Sequence, residues 1–584
     1  MKPSAIALFL IFFLWACNST KNESEEVAVN QLVQTKGGRY YGGIFNLNET
    51  EYVKSLYPPS IKDVVSARVA SLAYEGLFKF NQSNLEIEPC LVSDFSIDST
   101  GKVYSFALKD SVFFHDDPVF DGGVGRLLNS EDIRFCIENL LTKNSYNTGS
   151  SILLGTIKGS EDFFQNSENQ DFSGTLEGIK VIDDKHFQIT LEKPDVLFLQ
   201  KLARQELFIY PPEAFHKYGL GLAKHIVGTG AFYLSKANEG SSFVFNKNPK
   251  YHGKDAYGNK LPFLNQVEVS FIQNKKSELQ LFLDGNLDMV YRLNKDYFKE
   301  VLEDRYEMSG GDFSKYQLQQ SPEMMTHFLG FNNKNEIYKN QDLRKAISFA
   351  VDREDILDLA LQGEAYAPGN FGITPPCFEN YKNETLIGYK FNKDSAQYYF
   401  NKSGFKDVLT SRPITLWLNS DGSRNTHIAV AVKNQLKKVL NIDIKLEIVP
   451  LAVLQEKIID GTAGFYKIAW VADVPSPKSF LTLFYGKHLN GGEVYPNFTR
   501  FENNAFDQLY ELASQSVDLK KANELFLSAE RIIIQSSPVI VLWYDEGYRL
   551  LQPYIKNFPN NPMQYRNFSE VYFVKPETLE RSKL

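Results

Sequence analysis

Cysteine is scarce in this chain: its 584 residues include only Cys17, Cys90, Cys136 and Cys377. No two of them form CxxC, so neither a zinc knuckle nor a thioredoxin-like redox site is indicated. Histidine is scattered and never arranged as HExxH, and there is no phosphate-binding P-loop and no GxSxG nucleophile elbow. The expectation is therefore no catalytic residue, no metal and no cofactor, and hence no enzyme. Basic residues form no block and the net charge is −8, so the electrostatic footprint of nucleic-acid binding is missing. Long apolar runs are missing too. Residues 5–16 make a run of about twelve, where a transmembrane helix needs roughly twenty.

That run has another meaning. Lys2 precedes it and Leu14-Trp15-Ala16-Cys17 closes it, which gives it the size and flanks of a signal-peptide core. The closing tetrad resembles the lipobox of bacterial lipoproteins. The resemblance implies that residues 1–17 are a signal peptide and that Cys17 becomes the lipidated terminus. An ordinary cleaved signal with an incidental cysteine is the alternative. Residues 18–35 are polar and read as a flexible tether. With Cys17 set aside, three cysteines remain, so at most one disulfide can close within the chain, and the spacing does not say which.

What is abundant is aromatic surface: 45 Phe, 31 Tyr and 4 Trp. Together with 43% apolar residues, this describes a globular chain with several cores, and it suits a cleft that grips a guest by shape. Strand and helix patterns alternate throughout, which argues for mixed α/β lobes. Residues 64–77 place Val64, Val65, Val69, Leu72, Ala73 and Leu77 close to helical spacing, whereas residues 103–108 alternate as a half-buried strand. Ser130 is placed to cap a helix through Leu141, with Glu131 and Asp132 at the positive end of its dipole. Strand pairs are expected over 178–191, turning at Asp183-Asp184, and over 231–246 after Gly228-Thr229-Gly230. A strand over 267–272 and a helix over 277–285 follow, then helices led by Asp342 and Asp352. Residues 414–418, 428–440 and 442–448 read as strand, helix and strand, a βαβ unit with a right-handed connection. Residues 520–535 read as a helix, and the apolar run 539–544 as a buried central strand. His115-Asp116-Asp117 reads as a polar loop rather than a metal cluster.

Eight segments, in order, resemble solute-binding protein family 5, which includes the oligopeptide-, dipeptide- and nickel-binding proteins of ABC importers. Tyr74-Glu75-Gly76-Leu77 looks like the family's early helix end. Residues 103–118, ending Phe113-Phe114-His115-Asp116-Asp117-Pro118, are similar to "tytFtLRdgvkFhDGtP", with Asp117 in place of the usual glycine, and Ser130-Glu131-Asp132-Ile133 to "tAeDV". Val227-Gly228-Thr229-Gly230-Ala231-Phe232 resembles "vGTGpy", Asn248-Pro249-Lys250-Tyr251-His252-Gly253 resembles "NpdYwg", and Gly285-Asn286-Leu287-Asp288 resembles "aGeiD". Asn332 through Arg344-Lys345-Ala346 to Val351-Asp352-Arg353 matches "fNt…vRqAinyAiDR". Residues 469–481 look like the "W-x-A-D-y-x-x-P-x-s-F-L" segment of peptide-binding members.

In those members the aspartate binds the peptide ammonium, the tryptophan walls a side-chain pocket and the backbone between them pairs with the peptide. The resemblance carries those roles to Asp473, Trp470 and Val471. Tyr544, on the returning hinge strand, and Val64, near a family main-chain contact, complete the ligand-binding candidates. From the residues alone, Asp473 reads as a turn or helix-cap residue, Trp470 equally well as core, and Tyr74 and Glu75 as hinge or core. Val474 stands where the family has tyrosine, which leaves the ligand class open.

The implied fold is α/β, a large type II periplasmic-binding-protein fold with two principal lobes. Its first lobe comprises 36–60, 175–322 and 535–584, its inserted subdomain 61–174, and its other lobe 323–534. The implied function is capture of short peptides in the interlobe cleft by hinge closure, as a lipid-anchored, monomeric component of the periplasm or cell envelope that serves an ABC permease in the inner membrane. The alternatives are another solute (a metal chelate, heme or a sugar) or a ligand-sensing lipoprotein without transport.

Overall fold

The computed structural model describes residues 31–575 apart from 169–173, 239, 294–300, 302–310, 362–363, 379, 412, 421 and 490–494. The signal-peptide and lipidation expectations, Cys17 included, lie outside the described residues, as does the tether up to residue 30.

Alternating sequence produces two four-stranded sheets. In the first, Phe232–Asn238, Ser242–Lys247 and Gln266–Ser270 pair antiparallel, and Ile44–Asn48 joins parallel to Gln266–Ser270. Every second residue of these strands points inward, so Phe45, Leu47, Phe243, Phe245, Val267 and Val269 are buried. The second sheet is antiparallel throughout, in the order Val92–Ile97, Val103–Leu108, His186–Thr190 and Ile179–Val181. Helix Ser130–Leu141 lies beside it and buries Ile133, Cys136, Ile137, Leu140 and Leu141.

A seven-stranded sheet runs through the rest of the molecule in the order Met289–Tyr291, Val539–Leu551, Gln317–Phe331, Phe465–Val471, Ile414–Asn419 and Ile444–Val449, with Ala365–Pro368 pairing to Val539–Leu551. Ile414–Asn419 and Ile444–Val449 are parallel and connected through helix Gly422–Leu440, the expected βαβ unit. The two longest strands, Gln317–Phe331 and Val539–Leu551, are antiparallel partners that connect two bodies. At one end they pack with Leu279, Phe282, Val290 and Leu550, next to the sheet that contains Ile44–Asn48. At the other they enter a core of Leu329, Phe331, Leu343, Ile347, Leu416, Leu418 and Trp543. Between the two ends the register slips from Pro322↔Glu546 to Thr326↔Tyr544, so residues 323–325 bulge where the strands pass from body to body. The architecture is the mixed α/β, two-lobed one expected.

Local expectations needed three corrections. The helix from Val64 ends at Ala70 rather than Leu77, because the backbone of Leu72 and Ala73 is taken by Phe232 and Gly230, whose N–H groups donate to their carbonyls. Asn129, not Ser130, caps the next helix, in a reciprocal box with Asp132. The strand from Val539 runs seven residues beyond Tyr544 and stays buried to Leu551, because its charged members Asp545, Glu546 and Arg549 have internal partners. Cys90, Cys136 and Cys377 are all free thiols.

Candidate ligand-binding site

A cavity of about 510 Å³ lies between the two bodies. One wall is built from residues 83–87, Ile97, Tyr104, Asp195, Val196, Leu199 and Gln200. The opposing wall comes from Cys377, Phe378, Asn380, Tyr381, residues 475–477, Val517, Leu519 and Asn523, with Met324 of the bulge and Pro562 between them. The lining is mainly apolar with a few polar groups, the composition of a small-molecule site. Tyr381 is fixed from behind: its hydroxyl donates to the fully buried Glu530, which also accepts the Thr374 N–H at 2.7 Å.

The two walls touch around the cavity. Arg204 Nη1 lies 3.6 Å from Asp473 Oδ1, and Lys478 Nζ lies 3.6 Å from Asp195 Oδ1. The Val196 N–H donates to the Ser514 carbonyl at 3.1 Å. Burial would raise the Asp195 carboxyl, but Lys478 and Lys201 overcome this and hold it at about 2. Gly101, in the left-handed region at φ 69°, abuts Val517 across the opening, and a Cβ there would overlap Val517 Cγ1.

Three of the sequence candidates lie on the segment that enters the cavity wall. Val471 ends strand Phe465–Val471, pairs with Met325 and is half exposed. Trp470 is partly buried, donates from Nε1 to the Ser479 carbonyl at 2.7 Å and has its ring 6.2 Å from that of Tyr495. Asp473 follows with its side chain 66% exposed, and the cavity lining begins two residues later at Pro475. The other two lie elsewhere. Tyr544 is wholly buried and donates its hydroxyl to the Gly372 carbonyl at 2.7 Å. Val64 is exposed at the start of its helix. None of the five candidates is among the residues that line the cavity, although Asp473 stands two residues before Pro475, which does. Tyr74 and Glu75 are buried, and Glu75 accepts from Thr229, Tyr251 and His252. Among the described residues no His, Cys, Asp and Glu group could hold a metal ion, His115-Asp116-Asp117 included.

Beneath the cleft, where the two long strands cross, a chain of charges joins the bodies. Glu323 of the bulge pairs with Arg292 and accepts from Tyr291. Asp545 pairs with Arg292 at 3.3 Å on one side and Arg424 at 3.0 Å on the other. Burial would push the Asp545 carboxyl up, yet His327, Arg424 and Arg292 hold it well below the usual range. His327 itself is pushed down to about 3, by burial and then by Lys467, and is neutral in this setting.

The profile of the bacterial extracellular solute-binding proteins, family 5, matches residues 86–492. The chain belongs to that family. This family-5 protein is thus a binding protein and not an enzyme. It is 25% identical over 517 residues to the oligopeptide-binding protein OppA of Bacillus subtilis, covering 85% of this chain and 87% of the relative. It is 24% identical over 511 residues to the heme-binding protein A of Haemophilus influenzae, covering 85% and 86%. Among solved structures it resembles the Helicobacter pylori periplasmic binding protein DppA in complex with the peptide STSA, with a TM-score of 0.73, 22% identity and coverage of 92% of this chain and 99% of that one.

The family motifs prove to be mostly structural here. Gly228 and Gly230 are glycines because the Ala73 backbone lies where their Cβ atoms would be. Arg344 donates to the Tyr338, Lys339, Ser536 and Ser537 carbonyls, and Arg353 to those of Val541 and Tyr389. The cavity residues from the 83–104 and 195–204 segments were not found from sequence. Nothing local marks Arg204 or Asp195 as facing the 473–478 segment, because the pairing exists only once the two bodies meet.

Proposed function

We propose that this family-5 protein captures short peptides outside the cytoplasm and delivers them to an ABC permease, held to the membrane by a lipid on Cys17. The carrying observation is the 510 Å³ cavity between the bodies, whose wall includes residues 475–477, directly after the Trp470–Asp473 segment. A peptide lying along that segment pairs its backbone with the exposed edge near Val471, which is indifferent to side-chain sequence, and sets its ammonium on Asp473. The hinge is placed at residues 322–326 and 544–546, and the lobe limits expected from the sequence belong to the same reading. Ligand selects the closed form by its differential affinity for it. The names of the relatives support peptides as the ligand class.

Calorimetry with a tripeptide is the test. Asp473→Ala should weaken binding by about 1.5–3 kcal/mol, the value of a charge-assisted hydrogen bond. Unchanged affinity would remove the ammonium role. Mass spectrometry of the ligand that copurifies decides between a peptide and the heme that the Haemophilus relative is named for. Fatty-acid labelling that persists in Cys17→Ser would sink the anchor.

A further inference from the structure

Asp473 does not face the cleft alone. Arg204, from the opposite body, presents Nη1 at 3.6 Å from Asp473 Oδ1, an ion-pair rather than a hydrogen-bond separation. The rest of the guanidinium is fixed: Nε donates to Glu206 Oε2 at 3.0 Å and Nη2 to Glu206 Oε1 at 2.5 Å. Arg204 is 16% exposed and Asp473 is 66% exposed. A locked donor and an open acceptor therefore stand side by side at the margin of the cavity, whose lining begins at Pro475 on one body and ends at Gln200 on the other.

An α-aminoacyl group has the matching pattern. Its ammonium nitrogen and its carbonyl oxygen are separated by two carbons, which standard bond lengths put roughly 2.7–3.6 Å apart, depending on ψ. We propose that Arg204 and Asp473 read this head group together, the carboxylate accepting from the ammonium and Nη1 of Arg204 donating to the adjacent carbonyl oxygen. Arg204 is then the specificity residue that separates α-amino peptides from other amines. The inference rests on the peptide reading above. An amine on a longer arm reaches Asp473 but brings no carbonyl to Arg204.

Competition complicates absolute affinities, since any ammonium must draw Asp473 away from Arg204. That cost is common to all amine ligands and cancels in a ratio. The experiment is calorimetry of the full mature chain with Ala-Leu-Leu and with 6-aminohexanoyl-Leu-Leu. Wild type should prefer the first by roughly tenfold or more, the worth of one hydrogen bond to a charged group. In Arg204→Gln the ratio should fall to about one, and in Asp473→Asn both ligands should weaken together. Equal affinities in wild type overturn the proposal, and this arm stands even if a variant does not fold. An undiminished ratio in Arg204→Gln also overturns it. If Asp473→Asn changes neither ligand, the ammonium reading itself has failed, which the other arms keep separate.

Discussion

Glu530 shows how one buried side chain ties the stability of this molecule to its binding wall. It is wholly enclosed, and burial raises its carboxyl from 4.5 to about 7 even though Thr374 and Tyr381 donate to it. A folded carboxyl with a raised pKa binds its proton where the unfolded chain has released it. Its contribution to stability is therefore full below about pH 4.5 and is lost as pH rises through 7. The shift corresponds to about 3 kcal/mol. Denaturant titrations of wild type and Glu530→Gln between pH 5 and 8 should show wild type losing stability relative to the variant as pH rises. Parallel curves would show that the carboxyl ionises no differently in the fold. Because Tyr381 lines the cavity and hangs on Glu530, peptide affinity in wild type should carry the same pH dependence.

At the scale of elements, Arg344 holds the end of one helix against the start of another. It lies in helix Gln341–Ala350, and its guanidinium donates to the Ser536 and Ser537 carbonyls, where helix Leu519–Ser536 ends. Those carbonyls have no further helical N–H to accept. Arg344→Met should cost about 1–3 kcal/mol per carbonyl left unsatisfied, read as a fall in Tm with the ligand ratio unmoved. A variant as stable as wild type would mean that water replaces the guanidinium. The motif around Arg344 was legible in the sequence, but its reason was not, since a carbonyl presented by a helix nearly two hundred residues away leaves no local mark. The same division recurs elsewhere. Residues 103–108 and 414–419 announced their strands because a period of two is written locally. The end of the helix at Ala70 did not, because backbone pairing with Gly230 and Phe232 overrode a good helical pattern. In the candidate site, Trp470, Val471 and Asp473 were legible only through resemblance to a family, and the wall opposite them was not legible at all.

The whole molecule is two bodies joined by two strands, and the described structure has them in contact across the cleft. Among the described residues the polar contacts include the pairs Arg204–Asp473 and Lys478–Asp195 and a backbone hydrogen bond from Val196 to Ser514, beside the packing of Val517 on Gly101. Two partly exposed ion pairs across the cleft should weaken when salt shrinks the screening length to about 3 Å at 1 M. Small-angle scattering of the ligand-free protein should show a larger radius of gyration at 1 M salt than at 0.05 M, and saturating peptide should restore the compact value. A radius indifferent to salt would place the closing force in the proposed hinge, where the buried Asp545 pairs with Arg292 and Arg424.

The missing carbon at residue 101 bears on how the jaws meet. Val517 rests against the bare backbone of Gly101, so the depth of the bite is set by one isopropyl group against a surface with nothing projecting from it. A bulkier residue at 517 acts as a doorstop. Val517→Trp should leave the mouth ajar even over a saturating guest, visible as a lasting increase in scattering radius.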